Sequence, residues 1–401
     1  MTTSTELPIV PLSEASSWQN LHEHFAAARA QSGFALGDDG STMAIGFEEV
    51  ETVLKDPRFG SANLPEMFGI TGGPLAEWWP QLMFGKQPPE HTRLRQLVSR
   101  AFTPMRVEKM RPKIAASATE LLEPAIESGT LDVMPDFANR LPVRSIADTL
   151  GLPEDAAYRI GPWAAELDRI FSFGSGDDTA MLADVEAALV KLNEFIRSEI
   201  EDRRANPGDD LLSALIEVRD GSDRLTEEEL VALVGNLIWA GSGTTVRQLS
   251  IAAAMVAMHP DQTALVREDE SLVGSAVEEI LRFEPTVVAT GRVPSVDIEV
   301  DGVMLPAGVP VVANLLSAAR DERVFADPHR YDVRRSDSRP IAFGAGIHFC
   351  LGAALARAAL QEGVRALVRG ATEIDLVEPP VWSEFLNLRD PGKVKLTLKA
   401  A

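Results

Sequence analysis

The sequence predicts a mainly helical fold with minor strands. Three observations carry that expectation. Helical patterns fill residues 91–285. Within them, the run from Leu230 to Met258 carries one charge, Arg247, and Pro260 closes it. Alternating, turn-punctuated stretches fall outside that span, at 33–46, at 297–316 and near the end. Of the 401 residues, 45% are hydrophobic and 24% charged, the ordinary globular mixture, which excludes a disordered chain, a collagen-like chain and a coiled-coil rod. One Cys excludes an intramolecular disulfide framework and points to a reducing compartment. Sixty acidic residues against 38 basic ones give a net charge of −22, which argues against a nucleic-acid partner. The opening MTTSTELPIV has no basic n-region or apolar h-region, so no signal peptide or membrane anchor is expected, and a cytoplasmic location is. No repeat or long linker divides the chain. Residues 1–401 read as one domain, with 1–30 a partly ordered N-terminal segment.

Taken in order, GFALGDDGSTMAIG (33–46) sets two apolar runs around Asp38-Asp39-Gly40, a hairpin signal. FEEVETVLKD follows as a helix stopped at Pro57. Residues 61–89 are rich in Gly, Pro and large apolar groups (Phe68, Trp78, Trp79, Met83, Phe84) and read as a long loop. Such loops tend to be functional, although these aromatics could simply pack beneath it. From His91 to Lys113, seven basic residues (Arg93, Arg95, Arg100, Arg106, Lys109, Arg111, Lys113) face a single acid, Glu108. That asymmetry fits docking of an acidic partner or anionic groups, or a solvated helix face. Thr226 and Glu229 form a capping box that opens the apolar run. Polar residues interrupt the run too often for a membrane span, so it reads as a central buried helix. Its middle is Ala240-Gly241-Ser242-Gly243-Thr244-Thr245. An interior Gly costs about 1 kcal/mol relative to Ala. Two in three positions imply close approach to the helix backbone, by a ligand or by a packed neighbour. Beyond Pro285, DIEVDGVMLPAGVPVVANLL alternates around Asp301-Gly302 and Ala307-Gly308. Finally, VWSEFLNL and VKLTL flank Asp390-Pro391-Gly392 as a hairpin. His22 and His24 have no such context and read as surface residues.

The only Cys lies in Phe343-Gly344-Ala345-Gly346-Ile347-His348-Phe349-Cys350-Leu351-Gly352, just ahead of the strong helix former AALARAALQEGVRALV. A helix N-terminus stabilises a thiolate. Gly344, Gly346 and Gly352 leave room for a flat object near the sulfur. A free Cys can also be just a small buried hydrophobe. The Gly-Ala-Gly is no dinucleotide loop, because Phe349 stands at the third glycine position and no strand precedes it.

This loop matches F-G-x-G-x-H-x-C-x-G at every specified position and resembles the cytochrome P450 family of haem-thiolate monooxygenases. Three further matches fall in the family's order: Glu279-Ile280-Leu281-Arg282 (E-x-x-R), the meander Phe325-Ala326-Asp327-Pro328-His329-Arg330-Tyr331, and Ala240–Thr245, similar to the kink of the oxygen-binding helix. The resemblance spans roughly residues 30 to 400. It implies the P450 fold, with a long central helix over haem and small antiparallel sheets. It implies haem b held by the Cys350 thiolate, with Phe343, Gly344, Gly352, Ala240 and Gly241 against the cofactor. His91 and Arg95, one helical turn apart, together with Arg292 and His348, would hold the propionates. Glu279, Arg282 and Arg330 would form a buried structural triad. Thr244 matches the oxygen-activating Thr. The residue before it is usually acidic, but here it is Gly243, so water, the substrate or Ser242 must relay protons, or reductive oxygen activation matters less. Ala359 is a smaller departure, at a position where Glu is common.

By the same resemblance, Met83, Phe84, Asn236, Trp239, Ala240, Val287, Val288, Thr290 and Leu386 would line the substrate pocket. That lining is apolar with one amide, suiting a neutral terpenoid, steroid, polyketide or aromatic compound, and Trp239 would trim it near the iron. The length leaves no room for a fused reductase. A ferredoxin and ferredoxin reductase are expected to supply electrons, with NAD(P)H acting only through them, docking on the basic 91–113 segment and Arg357. The expectation is a monomeric monooxygenase that hydroxylates or epoxidises an apolar small molecule, with no nucleic-acid or membrane partner. Gly243 keeps open a peroxide-driven peroxygenase or a bond-coupling or bond-cleaving oxidase. A non-catalytic P450-like binding protein is the third reading; retention of Cys350, His91, Arg95, Arg292 and His348 argues against it.

Overall fold

A computed structural model describes residues 6–12, 20–172, 178–220, 225–336, 339–383 and 388–401. Contacts divide the chain into two interleaved units. The first comprises Met1–Ala62, His259–Cys350 and Pro380–Gly392; the second Asn63–Met258, Leu351–Pro379 and Lys393–Ala401. None of the points where the chain changes unit carries a linker, so composition gave no hint of them.

The first unit is built on a six-stranded sheet in the order Ile9–Val10, Phe34–Gly37, Thr42–Ala44, Val311–Asn314, Ala289–Pro294, Phe59–Ser61. The expected hairpin is there: Phe34 pairs with Ala44 and Leu36 with Thr42, antiparallel. Helix Phe47–Lys55 packs Phe47, Val50, Val53 and Leu54 with Phe34, Phe59, Val311 and Phe325 in one apolar core. A second hairpin, Ile298–Val300 with Val303–Leu305, turns on Asp301 and Gly302. Both take positive φ, 48° and 75°, as the tightest hairpin turn requires. Helix Val273–Phe283 carries Glu279 and Arg282 on its buried face.

The second unit is mostly helical. The capping box forms as read: Glu229 N–H donates to Thr226 Oγ1 (3.1 Å) and Thr226 N–H to Glu229 Oε2 (2.8 Å). It opens the 32-residue central helix Glu227–Met258. Helices Leu141–Leu150, Ala156–Leu167, Asp178–Ala205 and Ala353–Gly370 pack around it, which is why its apolar residues run through every face. No helix among the described residues is long and apolar enough to cross a membrane.

Two expectations change. Residues 61–89 are not a plain loop but short helical turns, at Leu64–Met67, Pro74–Trp78, Trp79–Gln81 and Met83–Gly85. The strand containing VKLTL, Lys395–Ala400, does not form a hairpin with 381–388; it lies antiparallel between Ala371–Leu376 and Thr130–Asp132. The Asp390-Pro391-Gly392 turn is local, and a non-local strand offered the longer ladder.

Candidate active site

In the first unit, the Cys loop is closed by Cys350 N–H donating to Phe343 C=O at 2.9 Å. Gly346 has φ 69°, and a Cβ there would lie 2.5 Å from the Leu54 carbonyl oxygen. Only glycine lets the loop seat on helix Phe47–Lys55 at that point. Gly344 also has positive φ, 71°, but a Cβ there would meet nothing within 4 Å, as at Gly352. Cys350 is exposed, beside exposed Ile347 and Phe349, with the Phe343 and Phe349 rings 6.4 Å apart. It stands two residues before Gly352, the N-cap of helix Ala353–Gly370.

Arg292 and His348 come together on this unit. Ser61 is in register with Arg292 across the sheet edge and hydrogen-bonds His348 Nε2 at 3.3 Å. Arg292 is only 7% exposed. It donates to Thr290 Oγ1 (3.0 Å) and Gly291 C=O (2.9 Å), and no carboxylate among the described residues pairs with it. Burial pulls its pKa down to about 10. A buried guanidinium without a counter-charge is costly, so the site calls for an anion.

The triad needs a correction. Arg282, fully buried, makes a bidentate pair with Glu279 (2.7 and 2.8 Å) and donates to the carbonyls of Ala319 and Pro328. The third member is Arg335, whose Nε donates to Glu279 Oε1 at 3.2 Å. Arg330 is exposed and contributes only its carbonyl, which accepts from Arg335 at 3.0 Å. Several arginines follow the motif closely, and only the fold selects which one turns inward. His22 is also corrected: its side chain is 18% exposed and bonds Glu284 at 3.0 Å.

In the second unit, His91 is buried, and burial followed by the nearby Arg95 charge lowers its pKa. Along the buried central helix, Ala240 is exposed and Gly241 and Thr244 are half-buried, so this stretch faces an opening. Thr244 Oγ1 donates to Ala240 C=O at 2.7 Å. Ser242 is buried and donates to Ile238 C=O, also at 2.7 Å.

Gly243 meets a carboxylate. A Cβ there would overlap the carboxylate of Asp168, which starts the short turn Asp168–Ser172. Asp168 is 7% exposed; its Oδ1 accepts from Trp239 Nε1 at 2.7 Å and its Oδ2 from Arg247. Burial raises its pKa, with Arg247 and then Trp239 opposing. Trp239 is thus fixed by Asp168 and by the rings of Trp78, Trp79, Phe84 and Phe171, 5.6 to 6.2 Å away. Asp168 was missed in the sequence; its only signal was Arg247, a lone buried-helix charge that needs a partner.

Of the other lining residues, Met83 is buried and Phe84 packs on Trp79. Val287 bridges to Leu388, while Val288 packs into the core with Phe25 and Met43. Leu386 lies outside the described residues. Asn236 Oδ1 and the Nε1 groups of Trp78 and Trp79 are buried with no hydrogen-bond partner among the described residues.

The family model for cytochrome P450 matches residues 164–369. The chain is 36% identical over 367 residues to 6-deoxyerythronolide B hydroxylase of Saccharopolyspora erythraea, covering 88% of this chain and 89% of the relative. The chain belongs to the cytochrome P450 family. A second relative, vitamin D(3) 25-hydroxylase of Pseudonocardia autotrophica, is 34% identical over 95% of this chain and 94% of its own. The solved P450 CYP109Q5 of Chondromyces apiculatus superposes with a TM-score of 0.88 at 28% identity, covering 98% of this chain and 99% of that one. This P450 is a monooxygenase, an oxidoreductase of the haem-iron class.

Proposed function

We propose that this P450 holds haem b through the Cys350 thiolate and inserts one oxygen atom of O2 into an apolar small molecule, by hydroxylation or epoxidation. The observation that carries the cofactor assignment is Arg292, a buried cation without a carboxylate partner among the described residues, grouped with His348 on the unit that exposes Cys350. A propionate is the counter-charge it lacks, and a bidentate guanidinium–carboxylate bond would fix the ring's orientation. His91 and Arg95 serve the other propionate. On the first unit, the exposed Ile347 and Phe349 and the bare Gly344 suit a flat apolar face. When bound, the haem supplies oxygen activation and redox chemistry. The chain holds the sulfur as thiolate at a helix N-terminus, and the Thr244 hydroxyl orients a proton beside the reacting oxygen. The test is the carbon monoxide difference spectrum of reduced protein. A thiolate-type Soret band is expected; its absence in wild type, or its survival in Cys350→Ala, would refute the assignment.

The substrate reading rests on Asn236, Trp78 and Trp79. Among the described residues these buried groups, one acceptor and two donors, have no partner, and Trp78 and Trp79 lie in the ring cluster around Trp239. An apolar substrate bearing both oxygen acceptors and a hydroxyl fits better than a hydrocarbon. The relatives' names give 6-deoxyerythronolide B and vitamin D(3) as their substrates. Titration with polyketides, steroids, terpenoids and aromatics should shift the Soret band to high spin for oxygenated members; a preference for bare hydrocarbons would count against it.

A ferredoxin and its reductase are the proposed electron donors. The basic segment is less free than its sequence implied. Arg93 pairs with Glu229, Arg106 with Asp209 (3.7 Å), Arg111 with Glu108 and Glu362 (both 2.8 Å), and Lys113 with Asp148 (2.7 Å). Arg100 and Lys109 stay exposed without an acidic partner among the described residues and are the residues to test. Reduction by ferredoxin should slow with salt and in R100E/K109E; rates unchanged by both would reject this surface.

A further inference from the structure

We propose that Asp168 supplies the acidic group that the central helix lacks at Gly243, and that it acts through Thr244 as the positioning carboxylate of the proton path. This inference rests on the monooxygenase reading above. It starts from space. The Asp168 carboxylate occupies the volume a side chain at 243 would fill, so the acid reaches the helix from the turn Asp168–Ser172 instead of from the helix itself. Gly243 is then the residue that lets it in, and an alanine there would collide with it.

A plain counter-ion for Arg247 would not need this. The Arg247 side chain is 24% exposed, and an acid could pair with it at the solvent end without desolvation. Asp168 is instead pressed against the helix at Gly243, the residue before Thr244, and held on its other oxygen by Trp239 Nε1. Its burial raises its affinity for a proton, which suits a group that takes and releases one. Among the described residues, Arg247 is the charged group that faces it. Its neighbour Arg169 pairs instead with Glu166 and with Asp184 of helix Asp178–Ala205. The step is a proton transfer alone. The carboxyl gives its proton toward the Thr244 hydroxyl, directly or through one water. Thr244 turns its own proton from the Ala240 C=O to the oxygen being reduced, and Asp168 is reprotonated by solvent water at the part-exposed Arg247 end. Two such protons and two electrons from the redox partner accompany each O2, one oxygen entering product and the other leaving as water.

The test compares 7-ethoxycoumarin dealkylation driven by NADH through a ferredoxin couple with the same reaction driven by hydrogen peroxide, which brings its own protons. In Asp168→Asn the ratio of NADH-driven to peroxide-driven product should fall about tenfold or more, and the NADH-driven pH profile should lose a limb. The double variant D168A/G243D, which returns the acid to the helix, should recover the ratio. As a readout independent of turnover, Gly243→Ala should lower the melting temperature of wild type but not of Asp168→Ala. An Asp168→Asn variant with an unchanged ratio, equal loss by both routes, or a well-folded double variant that stays uncoupled would each overturn the inference. Wild type without a thiolate-haem spectrum would instead reject the functional reading beneath it.

Discussion

Glu279 and Asp168 are both buried carboxylates facing arginine, one in each unit, and they are held in opposite ways. Glu279 accepts from Arg282 twice, from Arg335 and from the Asp332 N–H, three of these bonds falling on Oε1 and one on Oε2. Among the described residues, Asp168 accepts from Trp239 and Arg247 only, and burial outweighs them. A buried carboxylate held by four donors fixes architecture. An under-supplied one can take and release a proton.

The comparison breaks most readily at Glu279. Glu279→Ala strands Arg282 and Arg335, and removing one member of a buried ion pair costs about 3–5 kcal/mol. Urea unfolding should show that loss, and the purified protein should lack haem; a normally loaded Glu279→Ala would refute its role. The next effect is pH. His22 and Glu284 extend the Glu279 type, with Arg320 and Arg389 also on Glu284 (both 2.8 Å). Burial lowers His22 from 6.5 to about 4, and the charges around Glu284 hold its carboxylate below the usual range. Both folded values lie below the unfolded ones, so this stability is present above about pH 6.5 and is lost as pH falls toward 4 and below. For His22 that amounts to on the order of 3 kcal/mol. Asp168 has the opposite sign: its folded value is raised above 3.8, so its contribution is full below the unfolded value and is lost as pH rises through the folded one. Denaturation across pH 4 to 8 should therefore show His22→Leu flattening the acid limb and Asp168→Asn leaving it in place.

Gly243→Ala sharpens the contrast at smaller scale. Forcing a methyl against Asp168 should cost about 1–3 kcal/mol in wild type and close to nothing in the Asp168→Ala background. Smallest is the control for the triad. Arg330→Ala should stay within about 0.5 kcal/mol of wild type, as exposed substitutions do, while Arg335→Ala should be several-fold worse.

The parts legible in the sequence are those a few neighbouring residues decide. Thr226 and Glu229 announced the start of the central helix because a capping box closes over one turn. Asp301-Gly302 announced its hairpin because both residues tolerate positive φ. The Cys350 loop was legible because its glycines, His348 and Phe343 lie within ten residues, and Gly346 could be nothing else beneath Leu54. Arg330 was the wrong choice because Arg334 and Arg335 follow within five residues, and chain composition does not say which of them turns toward Glu279.

The sequence by itself determined the helices, the hairpins, the thiolate loop and the family, since each rests on local hydrogen bonding, periodicity or spacing. Tertiary structure decided which groups meet. Asp168 reaches Trp239 across 71 positions and Asp332 reaches Glu279 across 53. The strand Lys395–Ala400 pairs with Ala371–Leu376, not with its own neighbour. A buried charge must find its partner in space. Arg247 showed that one was required, and only the packing of the turn at Asp168 against Gly243 showed which residue answers it.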